Sequence, residues 1–204
     1  RGLAMGLARA GVVVVSGLAL GIDAAAHEGA LDAGGKTVAV LASAVDEPTP
    51  RANARLGEEI AHGGGWLVSE RAPGSPVRRD EFPRRNRLVV ALSGAVIVVE
   101  AGLPSGTLTT VERALRVGRP VGAVPGSILS PASRGANELL RCGATPILGV
   151  DDVLALLGRA GPRAPDLAEP DDRALLDGLP GVSGPVQAWL DASALPPERA
   201  RATL

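Results

Sequence analysis

The stretch DEFPRRNRLVV, residues 80–90, holds the only phenylalanine of a 204-residue chain that has no tyrosine. Across residues 71–87, six arginines face two acids, a local net charge of +4. Guanidinium groups pair with phosphates in a planar fork. An exposed aromatic ring stacks on a base for roughly 1–3 kcal/mol, whatever the base. Phe82, between Arg79 and Arg84, combines the two. The same residues also suit a bland role, with Phe82 as a hydrophobic staple and the arginines as a solvated face. Taken alone, the stretch leaves both roles open. Pro83 stiffens the backbone beside the ring and fits the first turn of a following helix.

Other stretches place chemistry at the junction of a strand and a helix. In SGLALGID (16–23), Ser16 is followed by Gly17 and Gly21, which let backbone come close to a ligand, and a helix start offers free N–H groups to an anion. The spacing is G-x-x-x-G, not the dinucleotide fingerprint G-x-G-x-x-G. AGLPSGTLTTVE (101–112) has the same design: Ser105, Gly106 and Thr107 suit a phosphate or sulfate, and Ser105 equally suits an N-cap. AVPGSILSPASRGAN (123–137) adds hydroxyls and Arg134 to the same edge, or is a solvated loop. Asp23 and His27 stand four apart on one helical face. They read as an N-terminal acid with a hydrogen-bonded histidine, since no third metal ligand stands at a useful spacing. No metal site and no cofactor is expected.

These loops need a scaffold that gathers strand ends. Short β-branched runs at 11–17, 36–42, 66–70, 95–101 and 119–126 alternate with helical patterns at 21–35, 50–65, 84–93, 105–118 and 133–144. Runs apolar on both faces, alternating with helices, predict a parallel α/β sheet of the Rossmann type, with ligands beyond the carboxyl ends of its strands. The chain opens on a helix (1–11) with no strand before it, so the sheet is expected to lack its first strand. Residues 1–158 form this domain, 159–172 read as a Pro-rich linker, and 173–204 as a partial winged-helix-like helical module.

Net charge is −1, split between 16 basic and 13 acidic residues in 1–150 and 5 and 9 in 151–204. An anionic partner would therefore be met locally rather than by a globally basic surface. A single cysteine, Cys142, argues for a reducing compartment, and no apolar run approaches a membrane span, so a cytoplasmic location is expected.

The runs VVSGLALGIDAAAHEGAL, TVAVLAS, PRANARL, LVSERAPGSPVRRDEFPRRNRLVVALS, VIVVEAGLPSGTLTTVERAL, GRPVGAVPG and SRGANELLRCGA follow one another over residues 1 to 150. Together they resemble the DprA (Smf) family, DNA-processing proteins of bacterial transformation. The resemblance implies a non-catalytic, homodimeric protein that binds single-stranded DNA through an extended Rossmann domain and loads the RecA recombinase. Phe82 matches the family's base-stacking aromatic, and Arg79 a basic residue three positions before it. Arg51 falls where a phosphate-contacting lysine is common. Asn86 and Arg87 belong to an R-N-R signature. Ser16, Gly17, Gly21, Ser105, Gly106 and Thr107 match the turns around the pocket. Arg79, Phe82 and Arg87 are the contact candidates, with Arg84 and Arg85 left as solvated charges. The helix at 135–144 and the segment after it (145–158) are the candidate dimer interface.

The chain departs from the family pattern in four ways. The G-S-R motif after the first strand and the N-terminal helical domain are absent, no tyrosine precedes the second helix, and the winged-helix segment lacks its wing. Two other readings compete. One is a nucleotide phosphoribohydrolase-like enzyme with Glu112 as its acid, whose P-G-G-x-G-T turn is replaced here by P-S-G-T-L. The other is a protein-interaction module with Phe82 in its interface.

Overall fold

A computed structural model describes residues 1–159. The linker and helical module expected at 159–204 lie outside the described residues, apart from Arg159. Seven α-helices and six strands alternate among the described residues: α1 (Gly2–Arg9), β1 (Val14–Ser16), α2 (Ile22–Asp32), β2 (Thr37–Val40), α3 (Ala54–His62), β3 (Trp66–Val68), α4 (Glu81–Leu92), β4 (Val96–Val98), α5 (Gly106–Arg116), β5 (Val121–Ala123), α6 (Arg134–Arg141), β6 (Thr145–Pro146) and α7 (Val150–Leu156). Short 3-10 turns precede α3 and α6. No helix among them is long and apolar enough to cross a membrane.

The expected parallel α/β class is found, with a sheet in two halves. One half has the order β1-β2-β3 and the other β4-β5-β6, every pair parallel. Val14, Val15 and Ser16 stand opposite Thr37, Val38 and Ala39, and Val96, Ile97 and Val98 opposite Val121, Gly122 and Ala123. Between β1 and β4 lies a cavity of about 600 Å³, walled by Val12–Ser16, Ile97–Glu100, and Leu3 and Leu7 of α1. The central strands are apolar because helices cover them. Leu18, Ala39, Leu41, Leu56 and Ile60 pack as one core under the first half. Val90, Val96, Val98, Val111, Ala114, Val121, Ala123 and Ala136 form a second.

Three element boundaries differ from expectation in a way that affects the site. Only three or four residues of each apolar run pair in the ladder, so the residues after them become carboxyl-edge loop. α4 begins at Glu81, three residues earlier than the apolar spacing predicts. Phe82 and Pro83 therefore lie in its first turn, where the missing N–H of proline would have no helical partner anyway. The segment after α6, read as one stretch (145–158), divides into β6 and α7, with Asp152 accepting the N–H groups of Leu148 and Gly149 between them.

Candidate nucleic-acid interface

The turn after β1 is where the most side chains converge. The Asp23 carboxylate, one residue into α2, accepts Ser16 Oγ at 2.7 Å, Ala19 N at 3.1 Å and Gly17 N at 3.2 Å. Asn53 reaches in from the 3-10 turn before α3, its Nδ2 donating to Leu18 O (2.9 Å) and Ala19 O (3.1 Å). Arg85 comes from α4, its Nη1 donating to Gly17 O at 2.5 Å and also to Val40 O at the end of β2. The Gly17 peptide is thus held by a carboxylate on its N–H and a guanidinium on its carbonyl. Gly17 has a reason to be glycine, since a Cβ there would collide with the Arg85 guanidinium. Leu18 completes the turn in a left-handed conformation (φ 62) with its side chain fully buried. Such a conformation is costly for a branched residue and persists where surrounding contacts hold it.

Arg85 corrects the sequence reading, which left it as a solvated charge: only 8% of it is exposed. Its position on the inward face of α4, three residues after Phe82, explains this. Burial lowers its pKa from the ordinary arginine value, and the Asp23 carboxylate opposes that shift. A guanidinium stays charged regardless, because the ordinary value lies so far above neutral pH. Arg84 is exposed and pairs loosely with Asp80 (3.7 Å), as expected of a solvated charge.

The Asp23–His27 pair also resolves differently in detail. His27 is wholly buried and bonds Thr37 Oγ1 at 2.7 Å, not Asp23. The Thr37 hydroxyl donates to Val14 O, so it accepts from His27, which fixes the Nδ1–H tautomer. Nε2 is then a buried acceptor with no partner. Burial pushes the His27 pKa down to about 4, with Asp23 raising it and Arg85 lowering it. Among the described residues no cluster of His, Cys, Asp or Glu suits a metal ion.

What the clamped turn leaves free faces outward. Leu20, Gly21 and Ile22 are exposed, and their backbone N–H groups meet no acceptor among the described residues. Gly21, the N-cap of α2, adopts φ 87, a conformation that favours glycine. Arg85 ties this turn to α4, whose first turn carries Phe82. Phe82 is half-buried and Arg79 is exposed, with no acidic side chain within 4 Å among the described residues. Arg87 is exposed but makes a two-oxygen pair with Glu70, at 2.5 and 2.7 Å. Arg51 is exposed and paired with Glu47 at 2.8 Å. Asn86 is half-buried, and its Oδ1 accepts Arg85 Nε at 3.2 Å. The candidate cations thus differ: Arg79 is uncommitted, while Arg51 and Arg87 would have to leave an acid to meet a phosphate.

The second turn, after β4, sits on the other half-sheet. Ser105 is the N-cap of α5, its Oγ accepting Thr107 N at 3.2 Å. Gly106 is exposed and Thr107 half-buried against the central cavity. Arg113 of α5 reaches back to the carbonyls of Pro83 and Arg84. α4 is therefore tied to the first half-sheet by Arg85 and to α5 by Arg113. Glu112, the acid of the enzyme reading, is exposed on α5 and makes no hydrogen bond with another side chain. The residues that sequence reasoning missed are Asn53, Arg85 and Arg113, along with the grip of Asp23 on the turn before α2. All but Asp23 act on backbone 29 or more residues away in the chain, which no local pattern reveals.

With this geometry in place, the comparisons give the family. The family model for DNA recombination-mediator protein A matches residues 1–158, and the chain belongs to that family. It is 48% identical over 177 residues to a DNA processing protein DprA of Mycobacterium tuberculosis, covering 87% of this chain and 45% of that protein. It is 48% identical over 144 residues to DprA of Streptococcus pneumoniae (71% of this chain, 51% of that protein). Protein Smf of Escherichia coli is 44% identical over 148 residues (72% and 40%). The chain thus spans about half the length, or less, of these relatives. Among solved structures, that of Streptococcus pneumoniae DprA matches with TM-score 0.70 at 45% identity, over 76% of this chain and 54% of the other. DNA processing protein A from Helicobacter pylori, solved to describe its single-stranded DNA binding mode, matches with TM-score 0.68 at 35% identity, over 76% and 70%.

Proposed function

We propose that the carboxyl edge around α4 is a surface for single-stranded DNA. The protein is then a cytoplasmic, non-catalytic recombination mediator that acts as a homodimer and delivers the strand to the RecA recombinase during transformation. The observation that carries the reading is the juxtaposition at the start of α4. A half-buried aromatic ring and the uncommitted Arg79 stand at the start of the helix that Arg85 ties to Gly17, in a turn whose outer N–H groups have no acceptor among the described residues. The ring would stack on a base, the guanidinium would pair with a phosphate, and the amides would donate to a backbone phosphate oxygen. Arg51, Asn86, Arg87 and the Ser105–Thr107 turn would extend the track on either side. Membership of the recombination-mediator family and the likeness to the Helicobacter pylori protein support the same reading.

The test is anisotropy of labelled oligo-dT and of a matched duplex over a salt series. The single strand is expected to bind more tightly. Phe82→Ala should weaken it by about 5- to 150-fold, the equivalent of one lost stacking contact at roughly 1–3 kcal/mol. Arg79→Ala should reduce the slope of log affinity against log salt by about 0.7, one phosphate contact on a single strand. Equal affinity for duplex, or wild-type behaviour of both variants, contradicts the reading.

A further inference from the structure

Arg85 is unusual in being a buried arginine with no carboxylate in hydrogen-bond contact among the described residues. Its guanidinium is spent on main-chain carbonyls, Gly17 O after β1 and Val40 O at the end of β2, and its Nε on the neighbouring Asn86 side chain. The Gly17 carbonyl belongs to the peptide chain that Asp23 grips by its N–H groups. One helical turn before Arg85, on the same helix, stands Phe82. A helix that carried only exposed contact residues would be free to shift along the sheet edge. Here one inward guanidinium nitrogen, Arg85 Nη1, ties the helix to two strand ends at once.

We propose that Arg85 is a positioning residue: it sets the register of α4 against the turn after β1, so that Phe82 and the free N–H groups of Leu20–Ile22 meet the same strand of nucleic acid. This rests on the functional reading above and goes beyond it by assigning the assembly of the surface to a residue that does not touch the ligand. Lysine cannot replace it fully. An ammonium could serve the two carbonyls that Nη1 meets, but it has no second, rigidly placed nitrogen like the Nε that bonds Asn86 at the same time. The requirement is reciprocal, because Gly17 must lack a Cβ for the guanidinium to lie across it.

The experiment compares wild type, Arg85→Lys and Arg85→Gln by amide hydrogen exchange and by oligo-dT binding over a salt series, well below each melting temperature. In Arg85→Lys, residues 17–25 and 81–88 should exchange faster together, by about tenfold or more, while β4, β5 and α6 keep wild-type protection. Affinity should fall about tenfold with the salt slope unchanged, and further in Arg85→Gln. If Arg85→Gln does not fold, Arg85→Lys alone decides. A slope reduced by about 0.7 would make Arg85 a phosphate contact and overturn the proposal. So would wild-type affinity in a folded variant, or faster exchange confined to only one of the two segments. A wild type that binds no single strand would remove the functional reading, while the exchange arm still decides whether Arg85 couples the two segments.

Discussion

Between β1 and α2, residues 17–19 are gripped by side chains from three places: Asp23 of α2, Asn53 ahead of α3, and Arg85 of α4. Between β4 and α5, residues 101–106 rely on the Ser105 cap and on a backbone bond from Gly135 N to Ala101 O at 2.6 Å. In sequence the two turns look alike: strand, glycine, small residues, helix. In space the first is cross-braced by three polar side chains, of which Arg85 and Asn53 are buried. The second is exposed at Leu103, Pro104 and Gly106 and is held by fewer side chains. The difference shows how one sheet edge can carry a heavily braced and a lightly braced turn. Buried polar groups that are fully satisfied impose one geometry, and breaking them costs more than removing a surface cap.

The largest effect that sharpens this contrast is on pH. His27 lies beneath the braced turn on α2, near Asp23 and Arg85. Its folded pKa, about 4, lies below the ordinary 6.5, so the unfolded chain binds the proton first. Stability is therefore complete above pH 6.5 and declines as pH falls toward 4. By linkage the loss attributable to His27 is about 2.5 kcal/mol at pH 4.5. Urea unfolding at pH 7 and pH 4.5 should show this loss in the wild type and a smaller one, by that amount, in His27→Gln. Equal losses would mean that the imidazole is not held neutral.

A smaller pair of effects compares the two turns directly. Asn53→Ala strips the donor from Leu18 O and Ala19 O in a buried setting and should cost about 2 kcal/mol. Ser105→Ala removes an N-cap and should cost about 1 kcal/mol or less. Denaturant midpoints measure both, and a larger loss at Ser105 would reverse the comparison.

Much of this was legible in the sequence because it is periodic or local. The β-branched runs named the strands, the glycines marked the turns, and the seven ordered motifs pointed to the family that the comparison then gave. Arg84 and Arg85 show where legibility ends. They are adjacent arginines in one charged stretch, yet one meets water and the other is buried. The side facing the sheet is set by the helix phase once α4 starts at Glu81, and the apolar spacing placed that start three residues too late. Asn53 and Arg113 were invisible for another reason: their partners are backbone atoms distant in the chain, and nothing in the residue types near them announces that contact.

The central claim, that a single strand lies along the carboxyl edge beside α4, is tested most directly by photo-cross-linking. A bromodeoxyuridine-substituted oligo-dT would be irradiated with the protein and the linked peptides mapped. The account predicts cross-links at Phe82 and its immediate neighbours. Cross-links mapping instead to the opposite edge, at the start of β2 or in the Gly63–Gly65 turn before β3, would contradict it.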